Sequence, residues 1–126
     1  MTLFDILALL GAVCFVSFLA LLLLQRAPTS WLWPAGLSLA FLAWSLMAVA
    51  SEGPWGFWIE SSQNAWGVQI WLDLLLAIGA SLVFLIPAAR AEGMKPMPWA
   101  ALVLCTGSIG LMAMAARVMW LRQRRP

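Results

Sequence analysis

Long apolar runs alternate with short polar breaks along this chain. The first run extends from Leu3 to Leu24 and is interrupted only by Asp5. A second covers Trp31 to about Ala50, a third Trp66 to about Ile86, and a fourth Trp99 to about Leu121. Each is long enough for a hydrocarbon core that needs about 20 helical residues. The runs are continuously apolar, without the period of two that barrel strands show, and only helices or closed barrels satisfy the backbone in lipid. The pattern predicts an all-α polytopic membrane protein. One domain, residues 1–126, forms a four-transmembrane-helix bundle with spans near 3–25, 31–50, 66–88 and 99–121.

The breaks carry suitable turn chemistry. Pro28 stops the first helix, Thr29 or Ser30 caps the second, and Pro34 falls in its first turn, where a missing N–H does no harm. Residues 51–64 mix turn formers with Trp55, Phe57 and Trp58, which suits a segment lying in the interface. Pro87 should kink or end the third helix, and Gly93 offers a terminal cap. No basic residue precedes the first run and no small-x-small cleavage site follows it, so a retained helix is expected rather than a signal peptide.

Composition agrees with the pattern. Hydrophobic residues make up 64% of the chain and charged ones 10%, against about a quarter charged in soluble domains. A net charge of +2 gives no basis for nucleic-acid binding. Histidine is absent, and no phosphate loop, CxxC pair, zinc spacing or nucleophile elbow occurs, so neither a metal nor a cofactor is expected. Cys14 and Cys105 fall at different depths and are read as packing residues without a disulfide.

Four spans would put both termini and the 51–64 connection on one side, here side A, and the two short turns on side B. Basic residues then divide almost evenly. Arg26, Arg90 and Lys95 fall on side B, and Arg117, Arg122, Arg124 and Arg125 on side A. The positive-inside rule does not orient the chain on that count.

Charges inside a span are costly and mark candidate sites. Asp73 sits two turns into the third helix on one face with Gln69, and Arg117 lies near the end of the fourth. Antiparallel helices would bring the two to within about 5 Å in depth, so a structural Asp73–Arg117 ion pair is expected. Gly107, Gly110 and Ala113 form a small-residue stripe for close helix packing. A ligand cleft at the side A end, between the third and fourth helices, would be lined by Trp66, Gln69, Asp73 and Arg117.

Four short motifs carry a resemblance across residues 64–121. They are Gln69-Ile70-Trp71-Leu72-Asp73-Leu74, Ala89-Arg90-Ala91-Glu92-Gly93-Met94, Pro96-Met97-Pro98 and Gly107-Ser108-Ile109-Gly110. In order and spacing they resemble a group of short bacterial membrane proteins of unknown function with a terpene-cyclase-like label. They also resemble, more distantly, the plant ABA-deficient-four proteins needed for neoxanthin formation. Relatives usually carry a proline after the glycine motif and a tyrosine soon after; this chain has Leu111 there and no tyrosine. The resemblance implies a multi-pass protein of a bacterial inner membrane that binds or organises an isoprenoid or carotenoid-type lipid. Alternatives are a terpene-cyclase or isomerase-like enzyme with Asp73 as its acid, a small multidrug-type transporter, and an accessory subunit of a larger complex. The bilayer and an apolar lipid are the expected partners, with a homo-oligomer or larger assembly open.

Overall fold

A computed structural model describes residues 1–26 and 28–124. It is all-α, with α1 Leu3–Leu23, α2 Leu32–Glu52, α3 Gly56–Ser62, α4 Ala65–Ala91, α5 Pro96–Thr106 and α6 Ser108–Arg124. Three of these helices, α1, α2 and α4, are long and apolar enough to cross a membrane.

Local chemistry sets most helix ends. Thr2 and Asp5 form a reciprocal capping box on α1: the Thr2 N–H donates to Asp5 Oδ2 at 2.8 Å, and the Asp5 N–H to Thr2 Oγ1 at 3.2 Å. The α1 C-terminus closes through Gln25 at φ 57, with the Arg26 N–H reaching the Leu21 carbonyl at 2.8 Å. Ser30 Oγ accepts from the Leu32 N–H at 3.2 Å, but the N-cap of α2 is Trp31 and no side chain caps it. Asn64 caps α4 by accepting from the Gly67 N–H at 2.8 Å. Pro87 does not end α4, which continues for another turn to Ala91. Gly93 closes it at φ 80, with the Met94 N–H on the Ala89 carbonyl at 3.0 Å.

The 51–64 connection contains α3, folded back on the first turns of α4. Phe57 and Trp58 both pack on Trp71, at ring-centroid distances of 5.9 and 6.2 Å. Gly67 permits the approach, since a Cβ there would lie 2.7 Å from the Glu60 carbonyl oxygen.

The fourth apolar run is not one span. It divides at Gly107, whose φ of 64 and ψ of −125 suit a residue without a Cβ. Beyond the break α6 folds back on α5, so closely that a Cβ on Gly110 would sit 2.9 Å from Leu102 backbone atoms. The direction of α6 follows from two fixed points on each neighbour. Beside α4, Gly107 lies next to Ile78 (3.9 Å from a Cβ built at Gly107 to Ile78 Cδ1), and Arg122 Nε is 3.4 Å from Glu92 Oε1. Beside α2, Ser38 Oγ donates to the Ile109 carbonyl at 2.8 Å, and Gln123 Nε2 donates to the Thr29 carbonyl. Thus α6 runs with α4 and against α2. It ends beside the 24–31 and 92–95 connections, the end called side B above.

The α5–α6 pair is therefore a helical hairpin whose tip stands beside Ile78, halfway along α4. This corrects the expectation of a continuous fourth helix over 99–121; α6 brings Arg124, the last described residue, to the side B end. Neither arm, at 11 and 17 residues, has the length of a full span. The core lies between α4 and the hairpin, where Ala89, Met94, Val103, Met114 and Val118 are buried together. Helix α1 buries no residue; Phe18 meets Trp33 at 5.0 Å.

Candidate functional site

Two concavities flank the hairpin. The first holds about 580 Å³ between α2 and α6, with Trp99 of α5 on its rim. Trp31, Trp99, Trp120 and Arg117 form its outer end, and Ala35, Ser38, Leu39, Ala113 and Ala116 its inner part. Small side chains on both helices leave the groove open. Along α2 it extends from Trp31 to Leu39, about 12 Å at 1.5 Å per residue.

The outer end is cationic and aromatic. The Arg117 and Arg124 guanidinium groups each lie 4.5 Å from the centroid of the Trp120 ring. Positions 117, 120 and 124 share one helix face, so the geometry follows from helical spacing. Stacking holds Arg117 at the mouth with its N–H donors available. Deeper in, Ser38 is buried, and its hydroxyl is committed to the Ile109 carbonyl. The groove thus combines one guanidinium and three indoles near the side B end with alanines and Leu39 further in.

The second concavity, about 640 Å³, lies beside the hairpin tip between α4 and α5. Phe41, Phe57 and Trp71 close one part, and Cys105, Thr106, Gly107 and Ser108 supply the tip. The Thr106 hydroxyl donates to the Leu102 carbonyl at 2.7 Å. Both cysteines are free. Asp and Glu are absent from the linings of both concavities.

The expected site residues are dispersed. Trp66, Gln69 and Asp73 lie exposed on α4 and line neither concavity, whereas Arg117 lines the first. Asp73 and Arg117 do not form an ion pair among the described residues; that pairing is found between Arg122 and Glu92. The reason is the hairpin. Asp73 precedes Ile78 by five residues toward side A, while Arg117 lies ten residues beyond Gly107 toward side B, a separation of about 22 Å along the helices. Gly110 makes the expected close approach, but to α5 of its own hairpin. Ala113 lines the groove, and Gly107 forms the turn.

Trp31, Trp99 and Trp120 line the groove, although none of them was among the expected site residues. Their common location depends on the break at Gly107. A glycine after a threonine inside an apolar run was the available signal, and it reads equally well as helix packing. No protein-family profile, characterised protein or solved structure matches this chain.

Proposed function

We propose that the protein is embedded in a membrane by α1, α2 and α4, with α5–α6 entering as a re-entrant hairpin, and that it binds an amphiphile with an acidic headgroup in the α2–α6 groove. The carrying observation is the groove's polarity: Arg117 stacked on Trp120 at the mouth, and alanines with Leu39 beneath. Three apolar helices of 21, 21 and 27 residues support the embedding. Non-helical backbone at the hairpin tip is tolerated at membrane depth where protein surrounds it or it lines a cavity, and the second concavity lies there.

An anionic group at Arg117 gains charge-assisted hydrogen bonds beside the Trp120 ring. Its tail exchanges lipid for the groove and gains little by burial, so the headgroup carries the discrimination. An isoprenoid with an acidic end is one member of this class, and it is the member that the motif resemblance implies. A bacterial inner membrane as the location rests on the same resemblance. An enzyme protonating an alkene or epoxide is less favoured, because neither groove wall offers a carboxyl group.

The test is mass spectrometry of lipids retained after gentle purification. Wild type should retain acidic amphiphiles in excess over the surrounding membrane. Arg117→Ala should lower that excess, and Asp73→Ala should keep it. Identical lipid profiles for wild type and folded Arg117→Ala would sink the assignment.

A further inference from the structure

We infer that the hairpin end of the bundle is a basic collar seated among the anionic headgroups of the cytoplasmic leaflet, with the C-terminus inside and the N-terminus outside. This inference rests on the membrane embedding proposed above but not on the groove's ligand.

The chain has seven basic residues. The structure describes six of them, and the fold gathers all six at one end. Arg26 lies in the α1–α2 connection, Arg90 in the last turn of α4, and Lys95 at the start of α5. Arg117, Arg122 and Arg124 lie in the second half of α6. That stretch is tied to this end by the Arg122–Glu92 ion pair and the Gln123–Thr29 hydrogen bond. Among the described residues the other end carries Asp5, Glu52 and Glu60 and no lysine or arginine; Arg125 lies outside the described residues.

A straight fourth span would have divided the basic residues three to four and left the chain without an electrostatic preference. The hairpin turns that near-tie into segregation of all six described basic residues. All the connections involved are short, which is the condition under which lysine and arginine bias sets orientation. An odd number of crossings then places the termini on opposite sides. Trp31, Trp33, Trp99 and Trp120 lie near the same end, at the level where indoles favour the headgroup boundary. Positive charge in that layer attracts the acidic lipids of the cytoplasmic leaflet. The mouth of the α2–α6 groove opens at this level, so an acidic ligand would come from that leaflet.

The experiment uses the full chain with Cys14→Ala and Cys105→Ala as background and single cysteines introduced by Thr2→Cys, Ser61→Cys, Leu76→Cys, Met97→Cys and Gln123→Cys. A membrane-impermeant maleimide applied to intact cells should label positions 2 and 61. Positions 97 and 123 should react only after permeabilisation. Labelling of 2 and 123 from the same side overturns the hairpin topology, and exchange of the two groups overturns the orientation. Labelling of position 76 by the impermeant reagent from either side refutes the embedding itself, a distinguishable failure. For the collar, spin-labelled phosphatidylglycerol in reconstituted vesicles should show a larger motionally restricted fraction than phosphatidylcholine. Arg26→Gln with Lys95→Gln, both outside the groove, should narrow that difference. Equal fractions for the two lipids in wild type overturn the collar.

Discussion

Glycine positions that look alike in the sequence differ sharply in what surrounds them. Gly79 lies within α4, and a Cβ there meets nothing within 4 Å. Gly110 meets Thr106 Oγ1 at 2.6 Å and the Leu102 backbone at 2.9 Å. Gly79→Ala removes chain entropy from the unfolded state without a clash and should stabilise by about 0.5–1 kcal/mol. Gly110→Ala must push the two arms of the hairpin apart and should cost about 1–3 kcal/mol. Thermal unfolding in detergent compares the two variants; equal effects would mean that the arms are not in contact at Gly110. The sequence made Gly110 legible as a packing residue because small residues favour close helix approach. It did not identify the partner, since a stripe of small residues is equally consistent with contact to any helix.

Individual helices were legible where caps and breaks coincide with changes in hydrophobicity. Pro34 and Gly93 mark boundaries close to the observed ones, whereas the Thr2–Asp5 box that starts α1 was not read from the sequence. Inside an apolar run the signal is weaker. Gly107 breaks the fourth run without any polar interruption, so composition alone extends the helix across it. The same break moved Arg117 away from Asp73, and the charge pairing expected from depth moved with it. A double-mutant cycle on Asp73 and Arg117 should be additive within about 0.5 kcal/mol. The Arg122–Glu92 cycle should show a coupling near 1 kcal/mol, as Glu92 has a side chain only 2% exposed while that of Arg122 is 53% exposed. Asp73→Leu should not destabilise the folded chain. On the membrane-embedded reading, an aspartate on a lipid-facing helix costs up to about 2.5–3.5 kcal/mol near the bilayer centre, and the substitution removes that cost. A loss of stability in Asp73→Leu would show that Asp73 has a partner in the membrane.

At the scale of the whole molecule, two influences favour the hairpin over a continuous fourth span, and their magnitudes decide which one controls topology. The first is the backbone at Gly107, where a side chain would be held in a left-handed conformation at a cost of about 1–2 kcal/mol. The second is the basic half of α6. A straight helix from Pro96 would carry Arg117, Arg122 and Arg124 across to side A, away from the basic end and against the positive-inside bias. Straightening would also break the Ser38–Ile109 hydrogen bond and the Arg122–Glu92 ion pair. The charge contribution, about 1 kcal/mol for each arginine held at an anionic membrane surface, exceeds the backbone contribution. Gly107→Ala alone should therefore lower stability by about 1–3 kcal/mol and leave the C-terminus on its original side. Neutralising Arg117, Arg122 and Arg124 in addition removes the opposing charge, and a fraction of the C-termini should then cross. A C-terminal reporter that is active on only one side of the membrane reads both outcomes. If Gly107→Ala alone moves the C-terminus across, the glycine and not the arginine cluster holds the hairpin, and the ranking of the two influences is reversed.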